Sequence, residues 1–446
     1  MILDQIADYA QYEANRELPE EVTHHAKRAV LDWFSALLPG TRMSPVSELV
    51  RAHQRELGFG RSRLPGLNTT AFPAMAAWTN GTASHVAEFD DIFRDAIYHP
   101  GSPTIAAALA SGDDQGSSGG AFLRAVVIGY EISTRIGLAV QPSHYRFFHT
   151  TGTIGCFGSA AATSFLMAPK DRNAMRHSLA TAASFAAGLQ QAFRSDSMTK
   201  SLHSGHAASA GLTAATLAAA GVTGAVDILE GEAGFGAALC AEPQWDRATK
   251  DLGERYNIMQ VTQKAHGCCG HTFAAIDAAL CLRHQISGYQ PESVSSIAIE
   301  TYKAACDVAG ITDPNSSYEA KFSLSYVVSH ALLFGSVRLD AFTGEKLTDS
   351  RLRALMKKVS VSDDSALSAG FPSARAARLK IAMNDGKVFE YLAPLRKGDP
   401  EDPLSDADLG DKFEELVSPI IGRPSALLLR DKLWQLETIT LSDLNL

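Results

Sequence analysis

The sequence predicts a mainly α-helical protein, a large all-helical main domain with an inserted smaller α+β lid domain, and three observations predict it. Between Phe148 and Gly221 lie long uncharged runs built mainly of Ala, Gly, Ser and Thr. Small side chains let helices approach closely and Ala favours the helical state, so these runs read as buried helices packed backbone to backbone. Strand-length alternation of apolar and polar residues is confined to about residues 290–395. The acidic, Pro-rich link from Gly398 to Pro403 then breaks the chain, and residues 405–446 return to a helical pattern. The expected boundaries are 1–261 and 398–446 for the main domain and 262–397 for the lid.

Taken in order, residues 1–60 read as two helices. The second opens at Leu18-Pro19-Glu20-Glu21, with Pro early and acids in the first turn. Ala26, Ala29, Val30, Trp33, Phe34 and Leu37 follow at helical spacing. A helix from Ala71 to Val86 leads into a segment dense in titratable groups that ends at His99, and Ser102 is placed to cap a helix starting at Pro103. The Gly/Ser-rich stretch from Ser111 to Gly120 lacks the Lys of a phosphate-binding loop and follows no strand, so it is a connector. In the helix 121–140, Glu131 and Arg135 form an i,i+4 ion pair. His149 stands before one small-residue run. Lys200, His203 and His206, in the polar loop that begins at Arg194, stand before the run 207–221, and Ala225–Leu229 begins another short helix. Beyond residue 260 come a helix over 272–285, strands over 294–301 and 359–361, and a hairpin of 378–383 with 387–391 around Asp385-Gly386.

Composition narrows the function. The net charge of −9 argues against nucleic-acid binding, which calls for a basic surface. The small-residue runs are poor in Leu, Ile and Val and lack basic flanks, which argues against membrane insertion. The N-terminus lacks the basic region and apolar core of a signal peptide. Six scattered Cys residues fit reduced thiols and a cytoplasmic location.

Three segments carry cations to expected helix starts: His99, His149, and Lys200 with His203 and His206. Free N–H groups, the positive dipole end and a neighbouring cation together suit an anion, here a small di- or tricarboxylate. Lys200 lies among uncharged residues, so it needs an anionic partner or a lowered pKa. No metal site is expected. His144 and His149 are not at the i,i+4 spacing of two ligands on one helical face, and Cys268-Cys269-Gly270-His271 has no matching second pair. Dinucleotide-binding and nucleophile-elbow motifs are absent. The expectation is cofactor-free acid–base chemistry; the non-enzymatic alternative is a helical binding or scaffold protein.

Several short pieces occur in a fixed order: Leu31-Asp32, Asn80-Gly81, His85, Glu88-Phe89-Asp90-Asp91, His99-Pro100, Gly129-Tyr130-Glu131, His149 with Gly152, Lys200-Ser201-Leu202-His203, Lys264 with Cys268, and Glu319 to Ser323. In these the chain resembles the MmgE/PrpD family, which includes 2-methylcitrate dehydratase and cis-aconitate decarboxylase. The resemblance implies an all-helical main domain, an α+β lid, an active site in the cleft between them, and a homodimer. It implies a polar pocket of Asp90 or Asp91, His99, His149, Lys200, Lys264 and Tyr326. Where the family carries Asp-Phe-Asp-Asp-Thr this chain has Glu88 to Ile92, and Cys269 replaces a His of the decarboxylases. Those departures set the chain apart from both lyases, and the resemblance implies instead a cofactor-independent epimerase (isomerase) of iminodisuccinate or a similar amino-dicarboxylate. A dehydratase-like or decarboxylase-like lyase is the alternative. On that expectation His149 and Lys200 are the proton carriers, with Asp90, Asp91 and His99 also catalytic; His99, Arg146 and Lys264 hold carboxylates, and Glu88, His203, Cys269 and Tyr326 complete the substrate contacts.

Overall fold

The computed structural model describes residues 1–193, 197–371 and 373–446. The chain divides into two compact units, Met1–Gln263 with Ser405–Leu446, and Lys264–Leu404. It is mainly α, with the larger sheet confined to the second unit. Arg194, Ser195 and Asp196 of the polar loop lie outside the described residues.

The first unit is helical: α1 (Ile2–Asn15), α2 (Glu20–Gly40), α3 (Val46–Ala52), α4 (Pro73–Val86), α5 (Gly101–Gln115), α6 (Gly119–Val140), α7 (Thr150–Met167), α8 (Arg172–Phe185) and α9 (Thr199–Ala219). Two short helices, Phe235–Leu239 and Asp246–Thr249, follow, and the helices Asp406–Ile421 and Arg423–Leu433 complete it. A short hairpin, β1 (Ser62–Leu64) with β2 (Thr69–Ala71), joins α3 to α4. Helix α7 is the centre. Every residue from Thr150 to Phe165 is buried, and α7 packs against α5, α6, α8 and α9. A helix buried on all sides has no use for an amphipathic stripe, and its small side chains set how near its neighbours come. A Cβ on Gly211 of α9 would sit 2.4 Å from the Cys156 carbonyl oxygen of α7, so only glycine permits this crossing.

Helix α9 begins at Thr199, not at Ala207, so Lys200, His203 and His206 lie inside its first turns instead of ahead of it. Gly205, the one weak helix former there, is needed where α9 meets α4, since a Cβ would lie 2.3 Å from the Trp78 carbonyl oxygen. The short helix expected at Ala225–Leu229 is replaced by turns, with Gly231 N–H donating to the Asp227 carbonyl at 2.7 Å and helix resuming at Phe235.

The second unit holds a four-stranded sheet in the order β4 (Val359–Asp363), β3 (Val294–Thr301), β5 (Ala377–Met383), β6 (Val388–Ala393). β3 pairs parallel with β4, and the other neighbours are antiparallel. Alternation places Val294, Ile297 and Ile299 of β3 with Leu379 and Ile381 of β5 in one core. The helices Phe273–Gln285 and Leu324–Phe334 contribute to the same core. Among the described residues, no helix is long and apolar enough to cross a membrane, and no disulfide links any of the six cysteines.

Candidate active site

The candidate site in the helical unit is built on the segment between α4 and α5. His85 closes the last turn of α4, and Glu88 then takes the left-handed region at φ +58°, uncommon for a residue with a side chain. The turn sends the next two carboxylates in different directions. Asp90 is buried and faces histidines: its Oδ2 accepts from the Ser102 hydroxyl at 2.7 Å and lies 2.7 Å from His85 Nδ1 and 3.3 Å from His99 Nδ1. Burial works to raise the Asp90 carboxyl, but His99 and His85 outweigh it and hold the group well below its ordinary value. Asp91 turns away. Its Oδ1 accepts the Gly101 N–H at 3.0 Å and its Oδ2 the Tyr130 hydroxyl at 2.7 Å. Burial pushes its pKa up to about 7.

Asp91 therefore caps α5 from ten residues upstream, the task expected of Ser102, which is drawn instead to Asp90. The backbone between Asp91 and His99 is itself pinned: Ile92 and Thr262 exchange backbone hydrogen bonds at 2.9 and 2.7 Å, as do Phe93 and Tyr98 at 2.7 and 3.2 Å. Beneath it lies a pair that the sequence reading missed. Lys412, from the helix Asp406–Ile421, donates to Asp32 Oδ1 of α2 at 2.6 Å and to the Phe89 carbonyl at 3.0 Å.

The second half of the site comes from α7 and α9. His149, at the N-cap of α7, is 2% exposed, stacks on His85 with ring centroids 5.5 Å apart, and has its Nδ1 3.1 Å from Nδ1 of His203. Burial, helped by the neighbouring His85 and Lys200, lowers the His149 pKa well below the ordinary imidazole value. Burial likewise takes His203 down to about 4. Lys200 forms an ion pair with Glu88. Nε2 of His85, wholly buried, has no hydrogen-bond partner, an expensive state for a polar atom unless something else engages it.

Glu88, Asp90, His99, His149, Lys200 and His203 are thus gathered in one unit, and His85 joins them. His85 is among the residues that carry the resemblance, which implies no role for it. Arg146 is not among them: it is exposed and lies over the Phe147 ring. Lys264, Cys269 and Tyr326 belong to the second unit. There Lys264 is buried, the Cys269 N–H donates to the Lys321 carbonyl at 3.1 Å, and the Tyr326 hydroxyl donates to the Ala341 carbonyl at 2.5 Å. His85, Asp90 and His99 bring one ligand atom each within 4.8 Å of one another, residue types able to hold a metal ion. The short contacts from Ser102 and His85 to Asp90 Oδ2 describe a hydrogen-bonded carboxylate instead.

The chain belongs to the MmgE/PrpD family: residues 4–248 match the model of the MmgE/PrpD N-terminal domain and residues 266–436 that of the C-terminal domain. It is 25% identical to the cis-aconitate decarboxylase-like protein oryM of Aspergillus oryzae, over 95% of this chain and 92% of that protein. It is 27% identical to the cis-aconitate decarboxylases of Mus musculus, over 94% of this chain and 88% of the relative, and of Homo sapiens, over 91% and 85%.

These relatives overturn the isomerase reading. Proteins similar along nearly the whole chain are named as decarboxylases, which are lyases, and the expected epimerisation of iminodisuccinate is set aside. The structure shows why two of the departures behind that reading carried little. The longer Glu88 still reaches Lys200, and the backbone bonds that pair Ile92 with Thr262 do not depend on which side chain stands at 92.

Proposed function

We propose that the protein is a lyase that removes CO2 from cis-aconitate or a closely related unsaturated tricarboxylate. The observation that carries this reading is the cluster of buried His85, Asp90, His149 and Lys200 with half-buried His99, in a chain similar over most of its length to named cis-aconitate decarboxylases. In such a decarboxylation the carbon–carboxylate bond breaks and its electron pair moves through the neighbouring double bond. The pair arrives at a carbon beside another carboxylate, and that carbon takes a proton. Cations stabilise the enediolate-like charge that forms on the way. Here Lys200 and His99 serve as those cations, and His149 is the proton donor.

Incubating the protein with cis-aconitate, with CO2 measured and the organic product followed by NMR, is expected to give one CO2 and one unsaturated dicarboxylate per substrate consumed. Interconversion of 2-methylcitrate and its dehydrated form, with no CO2 from cis-aconitate, would replace the decarboxylase by a dehydratase. Turnover of neither acid would end the lyase reading. We further propose a cytoplasmic homodimer; sedimentation at micromolar concentration should give twice the 47.6 kDa chain mass, and the monomer mass alone would overturn it.

A further inference from the structure

We propose that His203 acts through His149 as a proton relay, passing protons from an open cavity beside α9 to the buried imidazole that protonates the substrate carbon. The inference rests on the decarboxylase reading. Loss of CO2 leaves an electron pair that must take up a proton, and CO2 carries none away to return, so every turnover consumes one proton from outside the site. His149 is 2% exposed, so its direct contact with solvent is slight. Its Nδ1 instead faces His203 Nδ1 at 3.1 Å, a contact that requires one ring to carry hydrogen there and the other to accept it. Half-buried His203 also lines a cavity of about 490 Å3 together with Gly188, Leu189, Gln191, Thr199 and His206.

The seat of the His203 ring is built for it. Gly188 has φ +138°, where side chains are rarely tolerated, and a Cβ added there would lie 3.3 Å from His203 Nδ1. A Cβ on Gly152 of α7 would lie 3.1 Å from His203 Cβ. The Gly188 carbonyl also accepts the His149 backbone N–H at 3.0 Å, so the residue packed against the His203 ring is bonded to the main chain of His149. The step balances as follows. His203 takes a proton at Nε2 from the cavity and gives the proton on Nδ1 to His149 Nδ1, and His149 passes its Nε2 proton to the carbanionic carbon. Each ring gains one proton and loses one; His203 ends with its proton on Nε2 and His149 with its proton on Nδ1, so both rings must exchange tautomer before the next turnover.

The test compares wild type, His203→Ala and His203→Phe with cis-aconitate as substrate. His203→Ala is expected to lose at least about tenfold in kcat with KM little changed, within the usual weight of proton-transfer catalysis. Free imidazole in the buffer should restore the lost rate in a saturable way, because the vacated space opens onto the cavity. His203→Phe fills that space and should be equally slow but not restored. A His203→Ala variant with wild-type kcat, or one that is slow, folded by circular dichroism and indifferent to imidazole, overturns the relay while the decarboxylase stands. A wild-type protein that releases no CO2 defeats the functional reading itself, which the first measurement separates from the other two.

Discussion

Replacing His149 by alanine is expected to lower the turnover of cis-aconitate roughly 10²- to 10⁴-fold, the weight of a positioned general acid. In the free protein burial, with His85 and Lys200 close by, keeps this imidazole neutral. An incoming tricarboxylate reverses the sign of the local field, so binding draws a proton onto His149 in the position where the carbanion forms. The group is then a stronger acid than an ordinary imidazolium, because burial still disfavours its charged form. The rate loss should therefore fall on kcat, and single-turnover measurements should show it in the chemical step. Circular dichroism must first show an unchanged fold, since the buried His149 ring also stacks on His85 and meets His203. A folded His149→Ala protein within tenfold of wild type would remove His149 from the role of proton donor.

What the sequence shows about this molecule follows from how local each signal is. The hairpin around Asp385-Gly386 is written in adjacent residues, and Gly386 takes the expected left-handed conformation at φ +87°. The alternation of Val294, Ile297 and Ile299 is equally local and marks the central strand of the sheet. Small-residue runs marked the buried helices, yet the start of α9 was missed because nothing between Thr199 and Ala207 looks like a hydrophobic face. The hairpin of β1 and β2 escaped notice because each strand is only three residues long. In the site, residue types were legible and partnerships were not. Sequence spacing cannot say that Asp91 will cap α5 while Ser102 turns to Asp90, or that exposed Arg146 will stack on Phe147. The reading of activity failed for a similar reason. Sequence alone presents Glu88 and Ile92 as changed side-chain chemistry and does not show that Glu88 pairs with Lys200 or that Ile92 bonds Thr262 through its backbone.

Lys412 is the clearest case of a residue visible only in three dimensions, and its removal carries the largest expected stability effect. Its ammonium group and the Asp32 carboxylate are both essentially without solvent contact, 2.6 Å apart, and join the helix Asp406–Ile421 to α2. Lys412→Met is expected to destabilise the helical unit by about 3–5 kcal/mol, the cost of leaving one buried charge without its partner. All four tryptophans, Trp33, Trp78, Trp245 and Trp434, belong to this unit, so tryptophan fluorescence in a urea titration reports its unfolding alone. Burial already raises the Asp32 carboxyl against the pull of Lys412, and losing the lysine raises it further. A carboxyl whose folded pKa lies above its unfolded value of about 3.9 loses stability as pH rises. The deficit of Lys412→Met should thus be greatest at neutral pH and shrink toward pH 4. Adding Asp32→Leu should recover most of the loss, because a packed apolar pair of similar volume is commonly as stable as a buried ion pair. That double variant should nevertheless turn over substrate more slowly than wild type, since the Phe89 carbonyl, one residue before Asp90, has lost the donor that holds it. A single variant that unfolds within 1 kcal/mol of wild type at pH 7 would mean that the pair is solvated and does not anchor the site.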